Sequence, residues 1–301
     1  MKTLLVIPSK GQTQYLPELV AHIEKLAVKP TDIWIYLDRP TGRERVETMR
    51  YLKDHPSITL KVNTGMPEYV GHPQMNAGEE YFLAGHVRNI AIEYAYVNEY
   101  DSVIFIDGDC MPEPDLISGH NELLDADTPR ITIGKRKEIK WGLDDQRVAS
   151  PSSLIRIFGP NGGKRITSEF YFVDSGVVWT CNFGINRKGI ERLYEMNTQL
   201  YGRREVFSSE FSGTWGGEDG FLGLECLYGN IGVYSLKDGT NGIIHKEHER
   251  PVRKYDHITF IDYMEFRREE LLARMNSFGM EVPPFVPRLE LIQQFSRMRA
   301  P

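Results

Sequence analysis

The chain has 301 residues, of which 41% are hydrophobic and 26% are charged, a composition typical of a globular protein. Its formal net charge of −6 and pI of about 5.8 argue against bulk electrostatic binding of nucleic acid, although they are compatible with a local basic groove. This length accommodates one large α/β domain, or one domain with a small appendage.

The first half of the chain alternates predicted strands with predicted helices. The segments TLLVIP, DIWIYLD, ITLKVN and SVIFID have the apolar character of strands. Apolar residues recur at helical spacing in QYLPELVAHIEKLA and in GHVRNIAIEYAYVNEY. In the second helix, one face is predicted to hold Val87, Ile90, Ala91, Tyr94 and Ala95. This order predicts an α/β fold with a mainly parallel sheet flanked by helices.

The second half of the chain is less regular. It begins with RITIGKRKEIKW, read as a strand and a basic loop, and a Ser-, Gly- and Pro-rich insertion. The segment FYFVDSGVVWTCNFGINRKGIERLYEM then predicts strand pieces followed by a helix. After it come GTWGGEDGFLGLECLYGN as a glycine-rich turn and helix, the short strand IGVYSL, and GIIHKEH. We assign residues 1–255 to the main domain. Residues 256–301 are assigned to a C-terminal helical extension, which packs on that domain or on a partner.

The cysteines and the apolar segments bear on the cellular compartment. Cys110, Cys181 and Cys226 are scattered without a CxxC pair, which fits a reduced chain and excludes a zinc site built from cysteines. Only five apolar residues precede Pro8, too few for the core of a signal peptide. No apolar run approaches the ~18–20 residues of a membrane span. The sequence therefore predicts a cytoplasmic protein without a transmembrane segment.

The segment SVIFIDGDCMPEP ends a predicted buried strand with two aspartates. Residues two apart on a strand point the same way, so Asp107 and Asp109 are expected to converge, with Gly108 allowing close approach of a ligand. A divalent cation would relieve the repulsion between the two carboxylates, and oxygen ligands favour Mg²⁺ or Mn²⁺. A solvated turn explains the same residues equally well.

Three further segments carry residues that suit an active site. Glu218 and Asp219 follow a Gly-Gly pair at a predicted helix start, where they are either helix-end charges or a general base with its neighbour. His245 and His248 follow a late strand, and either is a structural histidine or a metal ligand. Arg88 lies in the helix before the aspartates, where a solvated face is the plain alternative.

Taken together and in this order, the segments resemble the GT-A fold glycosyltransferases, a Rossmann-like class. The resemblance is to the inverting branch that includes the β-1,4-galactosyltransferases, the chondroitin-polymerase type and family 2 enzymes. It runs from VIPSKGQ to IIHKEH, over most of residues 4–248. Three segments carry it: VIFIDGDCMP matches the DxD strand, WGGEDGFLGLECLYGN matches the WGGED helix, and GIIHKEH matches the metal-binding histidine segment. VRNIAIEYA and TCNFGINRKGIERL are weaker matches.

The resemblance implies a set of site residues. A Mn²⁺ or Mg²⁺ ion would be held by Asp109, His245 and Asp107, the last of these through water or near the ribose. The nucleotide-sugar donor, most simply a UDP-sugar, would be bound by residues at the sheet edge and in the glycine-rich loop, namely Pro8, Ser9, Asp38, Arg88, Asp107, Trp215 and Gly217. Asp219 would be the catalytic base, with Glu218 beside it in acceptor binding.

Two departures from the family pattern concern the details of donor and acceptor binding. The family often has a third acid where this chain has Gly220, and its first-strand motif usually has an arginine where this chain has Lys10. The implied reaction is an inverting transfer: Asp219 deprotonates an acceptor hydroxyl, which attacks the sugar in line, so that an α-linked donor gives a β-linked product.

Rival functions remain open from the sequence. A HAD-type phosphatase also has a DxD after a strand, but it requires Thr or Val where Met111 stands. A nucleotidyltransferase would share the fold and the metal, and it would have a glycine-rich basic loop after the first strand. PSKGQTQ matches such a loop only weakly. A non-catalytic sugar-binding relative would have lost Asp219.

The acceptor is the least determined partner. Basic residues cluster at 134–140, at 164–165, at 250–254 and in the final predicted helix. They are either solvated surface or a groove for an anionic acceptor. The acceptors considered are a glycan, a lipid-linked sugar and a hydroxylated base in DNA.

Overall fold

The computed structural model describes residues 1–65, 83–139, 146–149, 178, 180–211, 217–236, 241–246 and 257–280. The strands are β1 (Thr3–Ser9), β2 (Asp32–Asp38), β3 (Ile58–Asn63), β4 (Ser102–Ile106), β5 (Cys110–Pro112), β6 (Arg130–Ile133), β7 (Arg136–Ile139), β8 (Gln146–Ala149), β9 (Asn182–Asn186), β10 (Gly232–Ser235) and β11 (Ile243–Lys246). The helices are α1 (Leu16–Ile23), α2 (Gly42–Leu52), α3 (Ala84–Val97), α4 (Leu116–Leu124), α5 (Arg187–Tyr201), α6 (Glu218–Tyr228) and α7 (His257–Ser277).

A seven-stranded sheet forms the centre, in the order β10-β6-β9-β4-β1-β2-β3. Its pairings are parallel except those of β9, which runs antiparallel to β4 and β6. The residues of β1 and β4 are all buried, as expected for strands covered by helices on both faces. The predicted fold class, a mainly parallel sheet flanked by helices, is confirmed.

Helix α2 lies between β2 and β3, where the sequence reading had no helix. A capping box begins it: Glu44 N donates to Thr41 Oγ1 over 3.2 Å, and Thr41 N donates to Glu44 Oε2 over 2.7 Å. The signature Thr-x-x-Glu of such a box was present in the sequence. Only Thr48 and Leu52 of this helix are buried, and most residues of its sequence GRERVETMRYL are polar or charged, so it lacks the apolar residues by which the other helices are predicted.

Helix α3 is present, but its buried face differs from the predicted one. Ile90 and Tyr94 each keep 38% of their surface exposed, whereas Arg88 and Ile92 are buried beside Val87, Ala91 and Ala95. The buried face of α3 is therefore rotated by part of a turn from the face that the sequence predicts. Of the two interpretations of Arg88, the solvated face is wrong: the side chain faces inward, where two carboxylates accept its hydrogen bonds, as described below.

A second sheet, in the order β5-β11-β7-β8, lies next to the end of β4. Strand β11 runs antiparallel to β5, where His245 is opposite Cys110, and parallel to β7. Residues 136–139, expected to be part of a basic loop, form strand β7. This sheet brings His245 to the DGD turn, 136 positions earlier in the chain at Asp109.

Helix α7 packs against the main core. Tyr263, Leu271 and Met275 belong to the same buried cluster as Phe211 and Phe221. The final predicted helix lies outside the described residues, and the boundary at residues 255 and 256 stays a prediction. No helix in the described ranges is both long enough and apolar enough to cross a membrane.

Candidate active site

The two aspartates of the DGD motif lie in a tight turn between β4 and β5. Cys110 N donates to Asp107 O over 2.9 Å, and Gly108 N donates to Pro8 O over 3.0 Å. The expected reason for their convergence, alternation along a strand, is wrong because β4 ends at Ile106. A Cβ at Gly108 would lie 2.6 Å from Ser9 Oγ, so the glycine lets this turn pack directly on the end of β1.

Asp109 is held on both carboxylate oxygens. Gln12 Nε2 donates to Asp109 Oδ2 over 2.7 Å, and Cys110 Sγ donates to Oδ1 over 3.2 Å. Burial raises the pKa of the Cys110 thiol well above its usual value, and a hydrogen bond with Cys181 adds to the rise. The thiol is therefore a neutral donor, and Asp109 retains only 4% of its surface exposed.

His245 approaches the same carboxylate from β11. Its Nε2 atom lies 3.5 Å from Asp109 Oδ2, and 8% of the residue is exposed. Adjacent ligands of an octahedral ion with bonds of ~2.1 Å lie about 3 Å apart, so this oxygen and nitrogen could share one ion after a small closure. His248, the other candidate, lies outside the described residues.

The donor set fits a divalent ion that receives most of its ligands from elsewhere. Within the described ranges, no group of three or more His, Cys, Asp or Glu side chains could hold a metal. Asp109 and His245 provide one oxygen and one nitrogen, and Mg²⁺-type ions often take few protein ligands and complete their shell with substrate phosphates and water. Asp107, the third predicted ligand, accepts a hydrogen bond from Arg88 on Oδ1, and its role at the metal stays a prediction.

Arg88 is the buried cation of the site. Its Nη2 donates to Asp107 Oδ1 over 2.8 Å and its Nη1 to Glu218 Oε1 over 3.3 Å. The guanidinium carbon lies 5.6 Å from the centre of the Phe207 ring. The side chain is 2% exposed, and its predicted contact with the donor stays a prediction. It joins the DGD turn to the start of α6.

Glu218 and Asp219 are the first two residues of α6. Gly217, just before them, has φ of +99°, which favours glycine, and its carbonyl accepts from Phe221 N over 2.8 Å to begin the helix. Burial, reinforced by the charge of Glu218, raises the pKa of Asp219 to about 7. Burial also raises the pKa of Glu218, an effect that Arg88 opposes. A carboxylate with a pKa near 7 is suited to accept a proton at neutral pH.

Asp38, at the end of β2, is fully buried and has several donors. Its Oδ1 accepts from Arg39 Nε over 3.1 Å and from Asn63 Nδ2 over 2.8 Å. Its Oδ2 accepts from Arg39 Nη2 and from Leu83 N, both over 3.0 Å, with Lys10 Nζ at 3.8 Å. A nucleotide would therefore meet Lys10 and Arg39, whose side chains keep 22% and 14% exposure, before the carboxylate itself.

Some of the predicted site residues lie outside the residues that the structure describes. Trp215 and the basic groups at 164–165 and 250–254 lie outside the described ranges. In the described part of the basic segment 134–140, the Lys137 ammonium is paired with Glu113.

The sequence reading missed Gln12, Arg39 and Asn63. Each follows or ends a strand at the same edge of the sheet as Asp107. Their positions at predicted strand ends could therefore have indicated that they belong to the site.

No protein-family model and no curated protein sequence matches the chain. Crystal structures of S. aureus TarS do match its fold. TarS 1–349 in complex with UDP-GlcNAc has a TM-score of 0.55 at 14% identity, over 92% of this chain and 73% of that one. The corresponding complex with UDP has a TM-score of 0.54 at 12% identity, over 97% and 68%. A longer TarS structure has a TM-score of 0.57 at 15% identity, and the match covers 44% of its length. At such identities the likeness establishes the fold, which is GT-A-like.

Proposed function

We propose that the chain is a metal-dependent inverting glycosyltransferase that moves a sugar from a UDP-sugar to an acceptor hydroxyl. One observation carries this proposal: a single buried guanidinium, Arg88, contacts both Asp107 and Glu218. Through these contacts the side chain of Arg88 connects the DGD turn, expected to bind the donor, to the helix whose second residue is the expected base. Donor activation and acceptor deprotonation need such proximity.

The proposed base is Asp219. It receives the proton of the acceptor hydroxyl on Oδ1 or Oδ2 as the hydroxyl oxygen attacks the anomeric carbon from the side opposite the diphosphate. Its raised pKa matches the operating pH of a general base, a role typically worth ~10²–10⁴-fold in rate. Glu218 remains bound to Arg88, so Asp219 is the carboxylate left to accept the proton.

Asp109 and His245 are proposed to hold the divalent ion, with Asp107 beside it. When bound, Mn²⁺ or Mg²⁺ supplies charge neutralisation for the diphosphate leaving group. Asp107 and Glu218 contact the buried Arg88. In addition to burial, the charge of nearby Asp109 raises the pKa of Asp107, and the charge of Glu218 does the same to Asp219, so acidic groups outnumber Arg88 here and favour a cation.

The donor is proposed to be a UDP-sugar that lies along the ends of β1 and β2. Lys10 and Arg39 offer cationic donors there, and both are held by Asp38. Ser9 and Pro8 form the floor next to Gly108. TarS structures of the same fold that were crystallised with UDP-GlcNAc and UDP support this class of donor.

The test is incubation with a panel of UDP-sugars and Mn²⁺, with release of UDP measured by chromatography. Slow release without acceptor, faster release with one member of an acceptor panel, and loss of both in EDTA are expected. The acceptor panel should contain oligosaccharides, a lipid-linked sugar and DNA with hydroxymethylated bases. Release of phosphate from simple esters, or of pyrophosphate from UTP with a sugar phosphate, would contradict the proposal in favour of a phosphatase or a nucleotidyltransferase.

A further inference from the structure

Gln12 makes a short hydrogen bond to Asp109. It lies in the loop after β1, is partly buried, and its Nε2 donates to Asp109 Oδ2 over 2.7 Å. This is the same oxygen that lies 3.5 Å from His245 Nε2. The atom proposed to share a metal ion with His245 is therefore also the atom that Gln12 holds.

The orientation of the Gln12 amide follows from its partners. An ionised carboxylate is only an acceptor, so the NH₂ end of the amide must face Asp109. The Oε1 end lies against Gly108, where an added Cβ would be 2.9 Å from it. Because glycine leaves that space free, the side chain of Gln12 spans the DGD turn and reaches the second aspartate.

We propose that Gln12 is a positioning residue that fixes the rotation of the Asp109 carboxylate, so that Oδ2 faces His245 and the divalent ion. Cys110 Sγ donates to the other oxygen and completes the restraint. Groups that hydrogen-bond to a metal ligand orient it, and their loss typically lowers metal affinity by ~10–100-fold. This inference rests on the metal site of the proposed function.

The closing experiment measures Mn²⁺ binding directly, with MnCl₂ as the probe and electron paramagnetic resonance to count free ion, with and without UDP. Gln12→Ala and Gln12→Met remove the amide, and the second keeps the length of the side chain. Both should weaken Mn²⁺ binding by ~10–100-fold. Gln14→Ala, an exposed glutamine two residues along, should bind as the wild type does. Thermal unfolding should stay cooperative in all three variants, with a modest drop in Tm only for the two Gln12 variants, because Asp109 loses one donor in them.

Further outcomes separate positioning from other roles. UDP affinity in EDTA should be equal in wild type and Gln12→Ala, and a parallel loss there would indicate general loosening of the loop and overturn the inference. Wild-type Mn²⁺ affinity in Gln12→Ala and Gln12→Met would overturn this inference alone. Tighter binding in Gln12→Glu would make residue 12 a direct ligand, contrary to the proposal. Absence of Mn²⁺ binding by the wild type would overturn the metal site together with the inference.

Discussion

Arg88 Nη2 lies 2.8 Å from Asp107 Oδ1, although the arginine side chain is almost entirely buried and the aspartate side chain keeps 28% of its surface exposed. A buried guanidinium requires compensating acceptors, and the second one is Glu218 at the start of α6. The arginine therefore fixes the spacing between the DGD turn and the helix that carries Asp219, and several expectations depend on that spacing.

Replacement of Arg88 by Met should destabilise the protein. Two carboxylates would lose their buried counter-charge, and breaking a buried pair typically lowers the free energy of unfolding by about 3–5 kcal/mol. Partial exposure of Asp107 favours the lower end of that range. Urea unfolding measures the change. Arg43→Met, which removes an exposed ion pair with Glu47, is the matched control and should leave the free energy of unfolding unchanged. Equal stability of the two variants would mean that the Arg88 contacts contribute nothing net.

Asp219→Asn should separate proton transfer from binding. The variant keeps shape and hydrogen bonding but accepts no proton, so turnover should fall by ~10²–10⁴-fold. Titration of UDP with Mn²⁺ by calorimetry should give the wild-type affinity, because Asp219 is proposed to act on the acceptor side of the sugar. Lost UDP affinity would move Asp219 to the metal site. Near-normal transfer would assign the base role to Glu218 or to a retaining mechanism.

The rate of transfer should fall as the pH drops below about 7. Asp219 accepts a proton only when ionised, and burial together with the charge of Glu218 holds its pKa near that value. Glu218→Gln removes the neighbouring charge, so the acid limb of the pH–rate profile should shift to lower pH. The measurement is kcat/KM for the acceptor between pH 5 and 9. An unchanged acid limb in Glu218→Gln would show that another group sets it.

Asp109→Ala should abolish Mn²⁺ binding and Mn²⁺-dependent transfer. His245→Ala should weaken Mn²⁺ binding less, because a water molecule can take the place of the imidazole. Asp127→Ala, at an exposed position away from the site, is the control for both. Manganese titration and circular dichroism report binding and folding separately. Full activity of the wild type in EDTA would exclude the metal role of both residues.

Glu225 offers a test of stability against pH that is independent of catalysis. It is fully buried in α6, and burial together with the charge of Glu205 raises its pKa well above the usual value. A raised pKa in the folded state contributes stability that is present below the unfolded pKa of ~4.3 and is lost as the pH rises through the folded pKa.

Glu225→Gln should therefore gain free energy of unfolding relative to wild type as the pH is raised from 5 to 8. Each unit of separation between folded and unfolded pKa is worth ~1.4 kcal/mol. Glu269→Gln, at an exposed position in α7, is the control and should follow the wild-type curve. A pH-independent difference between Glu225→Gln and wild type would show that Glu225 is already ionised in the folded protein at pH 5, contrary to a raised pKa.

Local patterns were sufficient for much of the fold. The apolar runs predicted β1, β2, β3 and β4, and the turn residues before Glu218 predicted the start of α6, because strand and helix periodicities are properties of adjacent residues. The mostly polar helix α2 and the buried face of α3 were not predicted, because burial is decided by what packs against a helix. The Thr41–Glu44 capping box was a local signal that could have been used.

By itself, the sequence determined strands β1 to β4, the helices α1, α3 and α6, and the residue types at the edge of the sheet, including the DGD motif and the Glu218–Asp219 pair. Only the tertiary structure decided which of these side chains meet. Gln12 and Asp109 are 97 residues apart, and Arg88 and Glu218 are 130 apart. Such contacts depend on the order of strands in the sheet and on the loops that close it, and no local periodicity encodes them. The DGD motif could therefore indicate a metal site from the sequence. The contacts of Arg88 with Asp107 and Glu218, and the hydrogen bond from Gln12 to Asp109, could be seen only in the folded structure.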